Sequence, residues 1–308
     1  MVKKALIIWH NRDFDGLFSY LISKAWLERE GYYVDGLGYD YSEPIPDYRG
    51  WGDMYALVMM VDISFQEPAD MIALKSVMGP DRIIWEDHHL VSIQKSIDNG
   101  YDDLKGHREN GISAAEICWL DLFPNSPVPL IVQYVSAHDV WNKERFDWNN
   151  ETEAIQSALY FRYGINPVAL EPEFRYLLSM GYVDLEKEVM KEGRVIRRSR
   201  EMGNTSKVAR YAFEVKVGPD RHPAIAIINP EFGSTVFDSV ANQYSLFLVT
   251  NRVEKGRYKV SLYADETKTG FNCGEYLAQK YNGGGHKGAA SCIVGIEEFI
   301  KILEDEEF

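Results

Sequence analysis

Three short apolar segments in the first half of the chain each end in acidic residues or histidines. The first leads into His10, Asp13 and Asp15, the second ends at Asp62, and the third is followed by Asp-His-His at 87–89. When parallel strands alternate with helices, the functional side chains lie at the carboxyl ends of the strands, along one edge of the sheet. The pattern therefore predicts an open α/β sheet with a carboxylate-rich edge. Such an edge needs divalent cations and suits phosphate chemistry.

The size and charge of the chain limit its fold class and its partners. With 308 residues it is long enough for two domains, since single cores rarely grow beyond about 250–300 residues. Its formal net charge of −14 disfavours a grip on long duplex nucleic acid, which needs an extended basic surface. A small phosphorylated substrate stays compatible with this charge, because bound divalent cations would reverse the local sign.

The cysteines and the hydropathy pattern exclude other classes. Cys118, Cys273 and Cys292 form no CxxC pair, so neither a disulfide framework nor a thiolate zinc site is predicted. No apolar stretch approaches the roughly 18–20 residues needed to cross a bilayer, and no signal-like apolar region follows Met1. We therefore expect a cytoplasmic protein without a membrane partner.

The alternation of apolar and amphipathic segments predicts two domains. In the first half it is typical of a parallel sheet covered by helices. Residues 150–205 are expected to be mainly helical, and a charged amphipathic helix there could link the domains. After residue 204 short strands dominate. We expect an α/β protein with a parallel-sheet domain over 1–185, a helical linker over 186–205 and a smaller mixed-sheet α/β domain over 206–308.

Periodicity and capping signals locate the individual elements. Ser113, with Glu116 three residues later, is typical of the capping box of a helix that ends at Leu122. The predicted strands are 5–9, 33–38, 55–61, 81–86, 209–217, 223–229, 245–252 and 257–264. The other predicted helices cover 17–30, 67–77, 127–139, 234–243 and 274–281.

The N-terminal motif combines two aspartates with a histidine. In an extended loop Asp13 and Asp15 could not both face one ion, but a tight turn could direct them towards two neighbouring ions. Gly16 permits a close turn into the following helix, and His10 could add a nitrogen ligand. The alternative is an ordinary helix N-terminus with acidic residues. That alternative accounts for one aspartate and leaves His10 and the other unexplained.

Two further motifs supply carboxylates and imidazoles. Asp62 alone is weak evidence, because aspartate often forms turns at strand ends, but in this context it could bridge two cations. Consecutive histidines would point to opposite sides of a strand. One of His88 and His89 is therefore expected to bind metal, and the other to contact the substrate or donate a proton. Asp87 fits as the acceptor that fixes the tautomer of an imidazole.

Asp139 is the fourth carboxylate candidate and ends a predicted helix. The pair His138-Asp139 is also found in helical hydrolases that use a His-Asp motif. Those enzymes carry their other ligands on helices, whereas the candidates here follow strands. We therefore keep the helical hydrolases as a minor alternative.

A glycine-rich segment in the second half could bind an anion. Three glycines let the backbone approach an anion and direct N–H groups at it. The next residues, His286 and Lys287, add groups suited to phosphate. A flexible hairpin loop is the alternative. We expect a substrate-binding loop that includes Gly284, Gly285, His286 and Lys287.

Taken in order, these motifs resemble those of the DHH–DHHA1 phosphoesterase superfamily. This group includes RecJ-like exonucleases, small-oligonucleotide nanoRNases and cyclic-dinucleotide phosphodiesterases. The resemblance covers nearly the whole chain, and it implies a DHH domain, a DHHA1 domain and an active cleft between them. It also implies two divalent metal ions, Mn²⁺ first and Mg²⁺ or Co²⁺ as alternatives. One ion would be held by His10, Asp13 and Asp62, and the other by Asp15, Asp62, His88 and Asp139.

The resemblance also implies the roles of the remaining residues and a mechanism. His89 would contact the scissile phosphate, and a hydroxide shared by the two ions would attack phosphorus in line. The glycine-rich loop would hold a substrate phosphate. One feature departs from the nanoRNase pattern Ser-x-Arg-Ser, because Tyr263 stands where the arginine is expected. After the loop, Ser291 replaces the usual glycine. The substrate clamp is therefore altered.

These observations predict a manganese-dependent phosphodiesterase that hydrolyses short oligonucleotides or dinucleotides to nucleoside monophosphates. The alternatives are a phosphomonoesterase on 3′-phosphoadenosine 5′-phosphate, a cyclic-dinucleotide phosphodiesterase and a non-catalytic nucleotide sensor. The complete ligand set disfavours the sensor, since a site without turnover gives no physical reason to crowd carboxylates. The expected partner is a small phosphorylated nucleotide or a short oligonucleotide, and a homodimer is left open.

Overall fold

The structure, a computed structural model, describes residues 3–228, 233–265, 267–285 and 287–304, without the side chains of Ala278 and Glu304. The chain divides into two units, Met1–Arg197 and Arg198–Phe308. The division falls inside a single helix, within the segment predicted as the linker. Each unit has its own hydrophobic cores.

A four-stranded parallel sheet forms the centre of the first unit. Its strands lie in the order β2-β1-β3-β4. Trp9 is paired with Val61 and Val61 with Glu86, so β1, β3 and β4 reach their carboxyl ends side by side. The residues that follow these strands therefore meet at one edge. The strands are β1 Lys3–His10, β2 Tyr32–Tyr39, β3 Leu57–Val61 and β4 Ile83–Glu86.

Helices cover both faces of this sheet, because successive residues of a strand point to opposite sides. Ile7 and Met59 belong to one core, and Ile8 and Met60 to the other. The helices are α1 Phe14–Arg29, α2 Trp51–Met54, α3 Pro68–Met78, α4 Leu90–Asn99, α5 Ala114–Leu122, α6 Leu130–Asp139, α7 Glu153–Tyr163, α8 Pro167–Ser179, α9 Tyr182–Leu185 and α10 Lys191–Tyr211. Short segments of 3₁₀ helix at Pro80–Arg82 and of π-helix at Trp148–Thr152 and Glu186–Met190 complete the unit.

Side-chain caps set the start of two of these helices. Helix α1 begins three residues earlier than predicted, because the Asp13 side chain accepts a hydrogen bond of 2.9 Å from the Gly16 N–H. Helix α5 confirms the predicted cap, since the Ser113 hydroxyl accepts from the Glu116 N–H at 3.4 Å.

The second unit contains a six-stranded mixed sheet in the order β5-β6-β7-β8-β10-β9. Strands β6 and β7 are parallel, and the other pairs are antiparallel. The strands are β5 Phe213–Val217, β6 His222–Ile228, β7 Leu246–Glu254, β8 Arg257–Ala264, β9 Gly284–Gly285 and β10 Ala289–Gly295, with α11 Cys273–Tyr281, α12 Ile296–Glu304 and a 3₁₀ helix Ser234–Val240.

The predicted fold class is confirmed, with differences in a few elements. The strand predicted over 209–217 begins only at Phe213, because α10 continues to Tyr211. The helix predicted over 234–243 is a 3₁₀ helix that ends at Val240. Strands β9 and β10 and helices α2, α4 and α12 were not predicted. In the part of the chain that the structure describes, no helix is both long and apolar enough to span a membrane.

Candidate metal centre

The predicted ligands of the first ion lie close together at the carboxyl edge of the parallel sheet. His10 Nδ1 is 3.1 Å from Asp13 Oδ2 and 3.5 Å from Asp62 Oδ2. The ligand atoms of these three residues all lie within 4.8 Å of one another. They come from the end of β1, the turn into α1 and the end of β3.

The predicted ligands of the second ion surround the ring of His88. Its Nε2 atom is 3.2 Å from Asp139 Oδ2, 3.3 Å from Asp62 Oδ1 and 3.6 Å from Asp15 Oδ2. Asp15, His88 and Asp139 form a second group with ligand atoms within 4.8 Å. Asp62 thus directs one oxygen at each group, the arrangement required of a bridging carboxylate.

The turn between β1 and α1 places Asp13 and Asp15 in different groups. Asp13 caps α1, and Asp15 lies in its first turn. The Asp15 carboxylate also accepts 2.9 and 2.8 Å hydrogen bonds from the backbone N–H groups of Ala114 and Ala115 at the start of α5. A Cβ on Gly16 would lie only 1.9 Å from the His10 carbonyl oxygen, so this close turn requires glycine. The capping alternative therefore describes Asp13 correctly without excluding metal binding.

Asp62 adopts an unusual backbone conformation. Its φ angle is +60°, in the left-handed region that residues other than glycine seldom occupy. Its N–H donates to the Glu86 carbonyl at 2.9 Å, which ties the end of β3 to β4. Residues held in such conformations are concentrated at functional sites, where the surrounding structure enforces them.

The two histidines do not point to opposite sides, in contrast to the expectation from strand geometry. Strand β4 ends at Glu86, so the alternation of a strand does not apply to residues 87–89. The rings of His88 and His89 are 4.5 Å apart, and His89 Nδ1 is 3.8 Å from Asp62 Oδ1. Both imidazoles therefore face the Asp62 carboxylate.

Asp87 is completely buried and fixes the loop that carries both histidines. Its Oδ1 accepts from the N–H groups of His88 and His89 at 2.8 and 3.1 Å and lies 2.7 Å from His89 Nδ1. Trp85 Nε1 donates to its other oxygen at 3.1 Å. Asp87 thus positions His89, and its burial keeps it from touching a substrate. With Nδ1 engaged, the Nε2 atom of His89 is the one left for another partner.

Burial and crowding shift the pKa values of the acids and histidines of the site. Burial and the charges of neighbouring aspartates raise the pKa of Asp62 well above its usual range and the pKa of Asp139 to about 9. Burial also raises the pKa of Asp15. Although burial lowers it, the adjacent carboxylates of Asp13 and Asp62 raise the pKa of His10 to about 10. Asp15, Asp62, Asp139 and His10 therefore hold or share protons, whereas the neighbouring His10 lowers the pKa of Asp13 in spite of its burial.

The donor set fits divalent cations. Among the residues that the structure describes, the ion pairs of Asp15, Asp62 and Asp139 are all with histidines. Within the same residues, His10 Nδ1 and Asp62 Oδ1 are buried and make no hydrogen bond of good geometry. Carboxylate oxygens with a few imidazole nitrogens suit Mn²⁺, Mg²⁺ and related ions. The cluster could therefore bind metal.

One acidic residue of this region was missed. Asp40 directly follows β2, and its Oδ1 lies 3.7 Å from His10 Nε2, on the side of the ring away from Asp13. Its Oδ2 accepts from Arg12 at 2.7 Å, and this guanidinium holds the pKa of Asp40 below its usual range. Like the predicted ligands, Asp40 is an acidic residue at the carboxyl end of a strand, so the same sequence pattern could have predicted it.

The glycine-rich loop lies in the second unit and is paired with β10. Gly284 is opposite Ser291, and Gly285 is opposite Ala290. A Cβ on Gly285 would lie 2.5 Å from the Ala290 Cα, whereas one on Gly284 would meet open space. Packing therefore explains Gly285 but not Gly284. Lys287 is exposed, and His286 lies outside the described residues.

Tyr263, which replaces the arginine of the resembled pattern, lies next to this loop. It is paired with Ala289 across β8 and β10, directly after the loop. The altered position is thus adjacent to the predicted phosphate-binding segment.

Comparison with solved structures identifies the fold. No family model matches the sequence, and no curated protein matches it either. The pGpG-specific phosphodiesterase PggH from Vibrio cholerae is similar over 97% of this chain and 96% of its own, with 15% identity and a TM-score of 0.56. RecJ from Thermus thermophilus, solved in complex with Mn²⁺, is similar over 98% of this chain, with 17% identity and a TM-score of 0.50. The chain spans about half of RecJ, 51% of its length.

These likenesses confirm the expected α/β fold, with a parallel four-stranded sheet and a separate mixed sheet. At identities of 15% and 17% they establish the fold alone.

Proposed function

We propose that the protein is a metal-dependent phosphodiesterase that hydrolyses short oligonucleotides or dinucleotides to nucleoside monophosphates. The observation that carries the proposal is the position of Asp62. Its two oxygens face two separate groups of ligands, His10 with Asp13 and His88 with Asp15 and Asp139. A buried carboxylate shared in this way is suited to hold two cations side by side.

In this proposal the chain supplies ligands for two divalent ions, with Mn²⁺ as the first candidate. When bound, such ions provide Lewis acidity and neutralise charge on the phosphoryl oxygens. Asp87 accepts a hydrogen bond from the Nδ1–H of His89, and when this ring is protonated its Nε2–H can donate to the scissile phosphate. Asp15, fixed by two backbone N–H groups of α5, keeps its ligand geometry rigid.

A small nucleotide is the substrate class that the properties of the chain favour. The net charge of −14 opposes binding to a long polyanion. PggH, whose fold this chain shares, is described as specific for the dinucleotide pGpG. We further propose that the glycine-rich loop, with Gly284, Gly285, His286 and Lys287, binds a phosphate of the substrate. Gly284 supports this role, because packing does not require glycine there.

A substrate panel tests the proposal. Purified protein would be incubated with Mn²⁺, Mg²⁺ or Co²⁺ and with di- to pentanucleotides, cyclic dinucleotides and 3′-phosphoadenosine 5′-phosphate, and the products separated by chromatography. We expect nucleoside monophosphates from the shortest linear substrates. Release of inorganic phosphate from 3′-phosphoadenosine 5′-phosphate alone would instead indicate a phosphomonoesterase. Binding of nucleotides without hydrolysis of any of them would indicate a sensor.

A further inference from the structure

Three aromatic rings lie together beside the metal centre, and no role has been assigned to them above. They belong to His138, Trp141 and Trp148, and we call them the aromatic platform. The centroids of His138 and Trp148 are 5.6 Å apart with an interplanar angle of 4°, and those of Trp141 and Trp148 are 5.6 Å apart with an angle of 24°. The three rings are therefore nearly parallel.

The platform is accessible to a ligand. Trp141 is 65% exposed, although a tryptophan in solution gains free energy from burial. Trp148 and His138 are partly buried, and their ring centroids lie 5.6 and 6.4 Å from that of Trp141. An exposed indole beside two nearly parallel rings offers aromatic surface to a ligand.

The backbone holds Trp141 in this place at a cost. Helix α6 ends with hydrogen bonds from Trp141 N–H to the His138 carbonyl and from Asn142 N–H to the Ala137 carbonyl. These are the bonds of a Schellman cap, whose left-handed position is usually glycine. Trp141 occupies that position with a φ of +54°. The backbone at this position favours glycine, so the cap itself gives no reason for an indole there.

The position of the platform and its charge indicate the kind of ligand. Trp141 follows Asp139 by two residues, so their Cα atoms are at most about 7 Å apart. Lys143 places its ammonium group 5.0 Å from the Trp141 ring centroid and 5.4 Å from that of Trp148. A flat ring next to a cation and a phosphate-binding metal centre matches a nucleotide, which joins an aromatic base to an anion.

We propose that the aromatic platform stacks a nucleobase of the substrate while the attached phosphate lies at the metal centre, with Trp141 as the main contact. This inference rests on the proposed function, since it assigns the site of the base in the same substrate. Stacking tolerates any base, because every base has a π-face. The platform would therefore add affinity for nucleotides over base-free phosphates without selecting a sequence.

Equilibrium binding of two ligands that differ only in the base tests the inference without turnover. In the presence of Mn²⁺, calorimetry would compare guanosine 5′-monophosphate with ribose 5-phosphate. For the native protein we expect the base to tighten binding about 5- to 150-fold. In Trp141→Gly this advantage should fall to about twofold or less. Trp141→Phe, which keeps a ring, should retain most of it.

Tyr33 provides a matched control. It is 58% exposed and also lies under a lysine, with Lys4 Nζ 5.3 Å from its ring centroid. It stands near the start of β2, at the end of the sheet opposite the metal centre. Tyr33→Leu should leave the advantage of the base unchanged. The melting temperature of Trp141→Gly should equal or exceed that of the native protein, since glycine suits the left-handed backbone at this position. If Trp141→Gly does not fold, Trp141→Asn replaces it in the same binding test.

Each result decides the inference separately from the proposed function. If the native protein binds the two ligands equally, or if Trp141→Gly keeps the native advantage, the platform is not a base site. Either result overturns the inference even when dinucleotides are hydrolysed. If the advantage depends on Trp141 but no phosphodiester is cleaved, the base site stands and the phosphodiesterase fails.

Discussion

Two buried carboxylates of the first unit, Glu116 and Asp62, have different kinds of ion-pair partner. Glu116, on α5, is 6% exposed, and both of its oxygens accept hydrogen bonds from Arg145, at 2.6 and 2.8 Å. Asp62 is 1% exposed and, among the described residues, pairs only with histidines and neighbours other acids. Glu116 is thus paired with a permanent cation, whereas Asp62 is paired with imidazoles that are charged only when protonated.

The difference separates a structural carboxylate from a functional one. Burying an isolated charge costs several kcal/mol, which a paired arginine largely offsets. Within the described part of the chain Asp62 has no such partner, so its cluster must hold protons or receive cations from outside. The same fold therefore pairs one buried carboxylate with an arginine and leaves another in a cluster that could bind metal.

The largest expected effect is on activity, in Asp62→Asn. Both ions lose a ligand, so kcat/KM on the best dinucleotide should fall at least about 1000-fold. In metal-free protein the same change replaces a buried carboxyl, whose protonation at neutral pH costs free energy, with a neutral amide. The melting temperature of the metal-free variant should then equal or exceed that of the native protein. Near-native activity would remove Asp62 from the bridging position.

Arg145→Met, which breaks the ion pair between Arg145 and Glu116, should lower the stability of the protein. Glu116 would be left buried without its partner, which costs about 3 kcal/mol for a pair at this depth. For a unit of this size the melting temperature should fall by about 6–12 °C. The double variant with Glu116→Gln should recover part of the loss, because both charged partners are then gone. Calorimetry would measure the melting temperatures of the single and the double variant. An unchanged melting temperature in Arg145→Met would show that the Glu116–Arg145 pair does not stabilise the fold.

Addition of metal should reverse the pH dependence of stability. Since the pKa of Asp139 is raised to about 9, the metal-free protein should lose stability as pH rises from about 4 towards 9, where the unfolded carboxyl is already ionised. The raised pKa of His10 acts in the same direction. Mn²⁺ at 100 times its Kd adds about 2.7 kcal/mol. At a fixed Mn²⁺ concentration the gain should be larger at pH 8 than at pH 5.5, because the ligands must be deprotonated and the Kd is therefore lower at pH 8.

Thermal unfolding in the presence of EDTA or of Mn²⁺, at pH 5.5 and at pH 8, measures the pH dependence of stability without and with metal. Metal-free protein that is more stable at pH 8 than at pH 5.5 would argue against the raised pKa values. A native-sized response to Mn²⁺ in Asp62→Asn would argue against the cluster as the binding site.

The smallest effect is expected for Asp40→Asn. Asp40 faces the Nε2 side of the His10 ring and would hold that imidazole in the orientation for metal binding. Loss of such a partner weakens metal affinity about 10-fold or somewhat more. Asp47→Asn is the matched control, because Asp47 also pairs with an arginine, Arg49, but is exposed. Equal Mn²⁺ affinities of the two variants would show that Asp40 has no positioning role.

The edge of the parallel sheet was predictable from the sequence for a physical reason. In a parallel sheet all strands end on the same side, so polar residues after apolar segments must converge. His10, Asp62 and His88 were found in this way. Asp40 follows the same rule after β2, and it was missed because only three strand ends were considered.

Other features depend on contacts that no local pattern records. The two histidines face the same carboxylate because β4 ends before them and Asp87 holds the loop from both oxygens. The glycine-rich loop pairs with β10, a strand the sequence did not indicate. The platform forms because Trp141 adopts a left-handed cap and Trp148 packs beside it from another segment.

The sequence by itself determined which side chains would line one edge of an α/β sheet, because hydrophobic periodicity and strand ends are local properties. The tertiary structure decided which oxygen faces which imidazole, which buried acid receives an arginine and which receives none. Those choices arise when segments up to a hundred residues apart pack together, as in the bonds from the N–H groups of α5 to Asp15. Pairings over that distance are set by packing and burial, and these exist only in the folded chain.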